Sequence, residues 1–233
     1  MNYEQLIGTT STPGSLSRWI NYSQIVNDAP EIVLEAESWI YRRLRHWQML
    51  TPPIYGTFTI NVDYIDNPPD MLEPFLLWTS QLYFQFMPMK TPQEVIANWS
   101  YDGNGNRVQQ QPMMYYMDQA ALRFDSPPDQ AYNYNLIYFQ QPAALATLPS
   151  PGANFLTNTY PRLMRCACMA AACEFAKDAG QGNYDRTYWD QMAQDEIEKA
   201  QAESDRAKRA TVAGAVLIGG GVSSNFPMYV NGY

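Results

Sequence analysis

Residues 131–177 read AYNYNLIYFQQPAALATLPSPGANFLTNTYPRLMRCACMAAACEFAK, and they are the most informative part of the chain. The first ten residues have the two-residue period of a β-strand, because four large apolar side chains alternate with polar or smaller ones: Tyr132, Tyr134, Leu136 and Tyr138. A Pro/Gly loop follows, and residues 154–161 then open a helix that is dense in Ala and Cys. No His, acid pair or phosphate-binding loop lies at this junction, so the stretch offers no catalytic group.

The Ala- and Cys-rich segment predicts a third helix over about residues 160–179. Small side chains cover nearly all of its faces between Cys166 and Cys173, so neighbouring helices can approach closely on more than one side. Glycines end it, and a fourth helix is predicted from about Tyr184. The apolar stripe of this fourth helix thins to alanines beyond Ala200, and its last turns are therefore either frayed or packed on another subunit.

Asp28-Ala29-Pro30-Glu31 predicts the start of an earlier helix, because an Asp cap, a first-turn proline and an early Glu favour a helix N-terminus. Its apolar stripe has three- and four-residue steps: Ile32, Ala36, Trp39, Ile40, Leu44 and Trp47. We expect this helix to end before Pro52-Pro53. Three arginines lie mostly off the stripe and form either a solvated face or a contact with a partner's acids: Arg42, Arg43 and Arg45.

The region from Ile54 to about Pro142 has a two-residue period and predicts a small antiparallel sheet. The first alternating strand is expected to contain Phe58, Ile60 and Val62. Two further apolar runs follow, one with Leu77, Leu82, Phe84 and Phe86, and one from Met114 to Phe124. Asp102-Gly103-Asn104-Gly105 predicts a tight turn, and Pro92 to Ile96 predicts a helical turn.

These elements predict an α+β fold that is mainly α, in which about four bundled helices carry an inserted antiparallel β subdomain and an extended C-terminal tail. We expect an N-terminal arm with the first two helices in residues 1–50 and the inserted subdomain in 51–145. The third and fourth helices occupy 146–210, and a flexible docking tail occupies 211–233. Apolar side chains on this glycine-rich tail predict an attachment to a partner: Phe226, Met228, Tyr229 and Tyr233.

The composition argues against several classes of protein. The 233 residues carry a formal net charge of −8 and only 16% charged residues, which argues against a protein that grips duplex DNA through a basic face. Three cysteines in one helix predict reduced thiols rather than a disulfide framework. The N-terminal residues lack the basic segment followed by an apolar segment that would predict export. The weakly polar run from Val212 to Val222 is too short to span a bilayer.

The candidate chemical sites favour structural interpretations. His46 is the only histidine, whereas catalytic triads and most zinc sites need a His with defined partners. Residues 102–106 faintly resemble a calcium loop, but position twelve would be Met113 instead of a bidentate Glu. Several acids are expected on a helix surface: Asp190, Asp195, Glu196 and Glu198. We therefore predict no catalytic residue, no cofactor-binding residue and no metal ligand; Cys166, Cys168 and Cys173 are expected to pack.

Taken in order, four short motifs resemble the tailed-phage head-to-tail adaptor proteins, which are ring-forming structural proteins seated on the portal. The opening helix carries an acid and an Arg-Leu-Arg run, and a Pro-x-Asp element precedes the sheet. A Pro-rich step then leads into an alternating Tyr strand, and a Leu-Thr pair precedes the Ala-rich helix. The matching residues are Glu35, Arg43-Leu44-Arg45, Pro68 to Leu72, Pro127-Pro128-Asp129, Tyr134 to Tyr138 and Leu156-Thr157.

The resemblance implies a virion protein of the neck, made in the cytoplasm of a host bacterium, whose copies form a dodecameric ring under the portal. The third helix would take the tightest place between side-by-side helices, and the tail would bind the portal. The sheet would face the tail nozzle and possibly fibre proteins, and DNA would pass an acidic lumen without sequence-specific binding. Contacts between subunits are expected on the fourth helix at Glu203, Asp205, Arg206, Lys208 and Arg209.

Two alternatives remain open from the sequence. One is another tail or fibre-attachment protein of the virion, which would bind proteins through the tyrosine-rich sheet. The other is a cell-wall hydrolase that uses helix carboxylates such as Asp195 or Glu196.

Overall fold

The computed structural model describes residues 2–8, 16, 18, 20, 25–79, 85–148, 152–178, 180 and 184–218, with side chains as far as residue 207. The chain forms two compact units. A helical unit comprises Met1–Gln48 and Pro142–Tyr233, and a β unit, Met49–Gln141, is inserted between these two parts. Helices and antiparallel sheets are both present, so the predicted α+β class is confirmed.

The elements follow one another in chain order. The helices are α1 (Tyr3–Ile7), α2 (Ile25–Tyr41), α3 (Pro92–Ala97), α4 (Phe155–Thr159), α5 (Pro161–Asp178) and α6 (Arg186–Ile218). Two short 3-10 turns occupy Trp47–Met49 and Leu145–Thr147. The strands are β1 (Ile54–Thr57), β2 (Tyr64–Asp66), β3 (Met71–Thr79), β4 (Gln85–Met87), β5 (Tyr115–Met117), β6 (Ala121–Phe124) and β7 (Asn133–Gln140).

Three long helices dominate the helical unit. Helix α5 packs against both α2 and α6. It runs antiparallel to α6, because Glu174 pairs with Arg186 and Arg162 pairs with Glu196. It also runs antiparallel to α2, because Glu35 lies beside Glu174 whereas Tyr41 accepts from Asn154, just before the start of α5. The described part of the unit therefore contains three long helices and two short ones, α1 and α4. The sequence predicts a further helix before α2, but only residues 16, 18 and 20 of that segment are described. The Ile20 N–H donates to the Leu16 carbonyl at 3.1 Å.

Helix α2 differs from the prediction at both ends. It begins at Ile25, so Asp28 lies in its first turn and Pro30 lies inside the helix. An internal proline removes a backbone donor, and burial of Ile25, Ala29, Ile32 and Val33 stabilises the turn that contains it. The helix ends at Tyr41. Leu44 is therefore buried from a non-helical segment, and Trp47 lies in a 3-10 turn with 46% of its surface exposed.

The β unit consists of two antiparallel sheets over one apolar core. The larger sheet has the order β1-β7-β3-β4 and the smaller one β2-β6-β5. Alternating residues of β7 supply one side of the core, as the sequence predicts. The core side chains are Phe58, Leu77, Met87, Tyr115, Leu122, Phe124, Tyr132, Leu136 and Tyr138.

The predicted strand through Phe58, Ile60 and Val62 is wrong. Strand β1 ends at Thr57, and Phe58 is buried while Ile60 is 52% exposed. The chain turns here, because Asn61 has a φ of 65° and the Val62 N–H donates to the Thr59 carbonyl at 3.1 Å. The apolar alternation thus continues across a turn that the strand period does not reveal. Leu82 and Phe84 lie outside the described residues.

Other local predictions in this unit are confirmed. Asp102 accepts from the backbone N–H groups of Asn104 and Asn106, both at 2.8 Å, and Gly105 has a φ of 81°. Helix α3 has a capping box in which Thr91 and Glu94 satisfy each other's backbone donors. The run from Met114 to Phe124 forms the β5–β6 hairpin.

We predict that Gly56→Ala destabilises the protein by about 1–3 kcal/mol, because overpacking a tight contact costs that much. A Cβ at Gly56 would lie 2.3 Å from the Tyr134 ring, which stacks on Phe58 with ring centroids 4.8 Å apart. Urea unfolding followed by fluorescence measures the change. Gly103→Ala is the matched control, since a Cβ there meets no atom within 4 Å. Equal stability of the two variants would contradict the proposed close contact.

Candidate interaction surfaces

The middle of helix α5 is enclosed within a single chain. All eight residues from Cys166 to Cys173 are buried, so two turns of this helix have no solvent face. The small side chains therefore serve contacts inside the helical unit, where the resemblance implies contacts between subunits. Burial also raises the pKa of the cysteine thiols, to about 11 for Cys173. These thiols are free and stay protonated near neutral pH, which fits packing better than metal binding.

The arginines that follow α2 have a structural role that the sequence did not reveal. Arg43 donates to the Trp39 carbonyl at 3.1 Å and lies 4.3 Å from the centroid of the Trp39 ring. Arg45 donates to the carbonyls of Tyr41 and Leu44 at 2.6 and 3.0 Å. These bonds satisfy carbonyls that have no partner at a helix C-terminus, where a positive charge is also favourable. Arg42 is exposed and remains available to a partner.

A buried carboxylate joins α2 to the chain that re-enters the helical unit. Both oxygens of Glu37 accept from the Leu145 backbone N–H at 3.1 Å, and Oε1 accepts from Asn154 Nδ2 at 2.8 Å. Asn154 is also the N-cap of α4. Burial raises the pKa of Glu37 to about 7, and the donors from Leu145, Asn154 and Tyr41 oppose this rise. Sequence periodicity could not identify this site, because Glu37 occupies the apolar face of α2.

A second polar chain fixes α6 to the rest of the helical unit. His46 is 1% exposed, and its Nδ1 accepts from the Gln48 N–H at 3.3 Å. Its Nε2 therefore carries the proton and donates to the Tyr160 hydroxyl at 3.0 Å, which donates in turn to Glu203 at 2.9 Å. His46 also stacks on Phe155. The structural interpretation of the only histidine agrees with this geometry.

Two backbone donors reinforce this attachment. The Arg45 N–H donates to Gln201 Oε1 at 3.2 Å, and the Trp47 N–H donates to the buried hydroxyl of Ser204 at 3.0 Å.

Burial along α6 follows a stripe through Ala193, Ile197, Ala200 and Ser204. The helix continues to Ile218, further than the sequence suggests.

The predicted subunit-contact residues on α6 have different surroundings. Glu203 accepts from Tyr160, Asp205 accepts from Gln201 at 3.3 Å, and Arg206 is exposed. Lys208 and Arg209 belong to the helix, but their side chains lie outside the described residues. The docking-tail residues also lie outside the described part of the chain: Phe226, Met228, Tyr229 and Tyr233.

Charged side chains also meet where α2, α5 and α6 adjoin at their other end. Arg186 binds Glu174 and donates to Asp190 at 3.1 Å. Burial raises the pKa of Glu35, and the adjacent carboxylate of Glu174 raises it further. A cleft of about 470 Å³ lies between α5 and α6 beside this group. Its lining mixes both signs of charge and includes Glu174, Lys177, Tyr184, Asp185 and Arg186.

The carboxylates considered for catalysis are engaged in ordinary surface contacts. Glu196 pairs with Arg162 at 3.5 Å and with Lys199 at 2.7 Å, and Asp195 accepts from Gln191 at 3.1 Å. Within the described ranges, no group of three or more His, Cys, Asp or Glu side chains is arranged to hold a metal ion. None of the helices in those ranges has the length and apolar character needed to cross a bilayer.

We predict that Glu37→Gln removes part of the pH dependence of stability. Between pH about 4.5 and about 7 the folded chain keeps a proton on Glu37 that the unfolded chain has lost. The free energy of unfolding therefore falls by about 3 kcal/mol as pH rises through this window, and then levels off. Denaturant titrations at several pH values measure it. Glu31→Gln, at an exposed position of the same helix, is the control and should keep the wild-type dependence of unfolding free energy on pH. If Glu37→Gln also keeps that dependence, Glu37 is not the group responsible for it.

We also predict that Tyr160→Phe lowers the free energy of unfolding by about 1–3 kcal/mol, because it removes the hydrogen bonds that the Tyr160 hydroxyl makes with the buried His46 ring and with Glu203. Tyr188→Phe, at an exposed tyrosine on α6, is the control and should change stability by less than about 0.5 kcal/mol. Thermal unfolding compares the two variants. Equal melting temperatures would show that the hydroxyl does not hold α6 in place.

Comparison with known proteins was made on the full sequence. The family model described as SU10 adaptor protein matches residues 1–216, which cover the β unit and nearly all the described helical unit. No curated protein matches the sequence.

Proposed function

The chain belongs to the SU10 adaptor protein family, and we propose that it forms the ring that joins the portal of a tailed phage to its tail. The family membership confirms the resemblance to the head-to-tail adaptors and supports a structural role in a phage virion. The observation that carries the proposal is the length of the match, which runs from residue 1 into the last turns of α6.

The proposed assembly is a dodecamer of identical copies in the neck of the virion. A head-to-tail contact that repeats around a closed ring uses two different surfaces of each copy. Because the middle of α5, from Cys166 to Cys173, is enclosed within its own chain, we assign the contacts between copies to the outer faces of the neighbouring helices. Arg206 and the following Lys208 and Arg209 on α6 are candidates for them.

The portal is the proposed partner of the C-terminal region. Helix α6 continues from Ser204, its last buried residue among those with described side chains, to Ile218. This distance corresponds to about 20 Å of helix. The glycine-rich residues beyond it would allow four apolar side chains to settle into portal pockets: Phe226, Met228, Tyr229 and Tyr233. A chain segment that orders only on binding loses its conformational entropy at that step.

The β unit is proposed to contact the tail nozzle and possibly fibre proteins. It carries nine acids and three cations, a formal net charge of −6. Each of these cations is paired with an acid: Lys90 with Glu94, Arg107 with Asp63 and Arg123 with Asp118. This excess of acids also supports a channel that DNA passes without being bound.

Another tail or fibre-attachment role is the second candidate. Tyr55 on the edge strand β1 is 80% exposed, and Tyr101 is also exposed. Tyrosines of this kind are common anchors in protein interfaces. Negative-stain images of the purified protein mixed with portal rings distinguish the two roles, because only the adaptor role predicts a cap on the portal.

We predict that removing residues 219–233 weakens co-sedimentation with portal rings at least tenfold, since apolar anchors dominate binding energy. A full-length variant with serine at positions 226, 228, 229 and 233 should show the same loss. Val222→Ser is the control and should bind like the wild type. Undiminished binding of the truncated chain would refute the tail as the portal anchor, and failure of the wild type to bind would refute the adaptor role.

A further inference from the structure

The charges of the helical unit are separated along its long helices. Contacts define two ends: Glu174 of α5 meets Arg186 of α6 at one, and Tyr160 meets His46 and Glu203 at the other. At the first end, residues 25–35, 174–178 and 184–190 carry seven acids and two cations. At the second, residues 42–48, 161–165 and 196–209 carry nine cations and four acids. The net charge of −8 therefore hides a strongly basic end.

Only part of this basic end has a structural role. Arg43 and Arg45 bind carbonyls at the end of α2, and Arg162 and Lys199 share Glu196. Arg42 and Arg165 are exposed and form no ion pair with another described residue. The chain has an excess of acids, yet these two exposed arginines have no acid partner within the described part of the chain. They are therefore available to bind a negatively charged group of another molecule.

An exposed aromatic side chain lies at the same end. Trp47 is 46% exposed, and its backbone N–H is held by Ser204 on α6. Trp and Arg are the residues that most often dominate binding at protein interfaces. The same end is the one from which α6 extends toward Ile218, so a partner bound by the last turns of α6 would also face these arginines.

We infer that this basic end is an electrostatic docking surface for an acidic protein surface, with Arg42, Arg165 and Trp47 as contact residues. The inference rests on the proposed function and makes the portal the partner that supplies the acids. A protein fits better than DNA, because four acids lie among the cations, namely Glu196, Glu198, Glu203 and Asp205. A mainly acidic protein surface can still present cations opposite these four acids, whereas a phosphate backbone is negative throughout. Mixed charges around an aromatic residue are ordinary at protein interfaces.

A second copy of the chain could also supply acids from its opposite end. That heterologous contact closes into a ring only if the rotation between copies returns to the starting copy, and otherwise it builds an open filament. The portal contact is compatible with a ring, because every copy would present its basic end to the same partner.

The test compares Arg165→Glu with Lys177→Glu. Both exposed cations lie on α5 and undergo the same charge reversal, but Lys177 lies at the acidic end. Binding of the full-length chain to portal rings is measured at low and high salt, with circular dichroism as the check on folding. We expect Arg165→Glu to weaken binding about fivefold at low salt and less at high salt, since rim charges act mainly through screened attraction. Lys177→Glu should bind like the wild type, and Arg42→Glu should behave like Arg165→Glu.

Each other outcome overturns the inference. Equal binding of both α5 variants, with the wild type still bound to the portal, would reject the docking surface and leave the adaptor role intact. Loss of binding to a labelled DNA duplex, without loss of portal binding, would assign the basic end to nucleic acid. If the protein self-associates in a salt-sensitive way and Arg165→Glu abolishes this without changing portal binding, the basic end is instead a contact with a second copy of the chain. A wild-type chain that does not bind the portal would reject both proposals.

Discussion

The close packing of α5 against two neighbours is the constraint on which the helical unit depends. Eight consecutive buried residues leave two turns of this helix without a solvent face, and the seven of them that are Ala or Cys provide apolar surface with little volume. Helices can then approach to the short end of the usual 8–10 Å spacing. The polar contacts on either side, from Glu37 and from Tyr160, span distances that this packing sets. A larger side chain on α5 would separate both sets of partners at once.

The two buried polar sites hold different parts of the chain. Glu37 receives neutral donors only, so its desolvation is opposed by hydrogen bonds without a counter-charge. This arrangement costs stability as the group ionises, but it fixes the chain where it leaves the β unit and re-enters the helices. His46 and Tyr160 instead hold α6 at the point where its buried stripe ends. Each site thus joins segments that are far apart in sequence.

The sequence predicted those parts of the fold that local physics determines. The Ala- and Cys-rich helix α5, the turn at Asp102 and the helical turn that begins at Pro92 depend on neighbouring residues, and the structure agrees with all three predictions. The start of α2 was missed because tertiary burial outweighs the preference of Pro30 for a first turn. The strand at Phe58 was wrong because a turn at Asn61 preserves the apolar alternation. Glu37 could not be found, since only the folded chain brings Leu145 and Asn154 to it.

Net charge is a property of the chain, whereas binding depends on charge at a surface. The value of −8 argued against a protein that grips duplex DNA, yet nine cations gather at one end of the helical unit, in residues 42–48, 161–165 and 196–209. Antiparallel packing produces this separation, because it brings the C-terminal turns of α2 beside the N-terminal turns of α5. In the role proposed above, the protein has to hold one partner firmly while DNA passes freely, and a uniform negative charge serves only the second task. A bipolar helical unit would serve both, with attraction confined to the proposed docking surface.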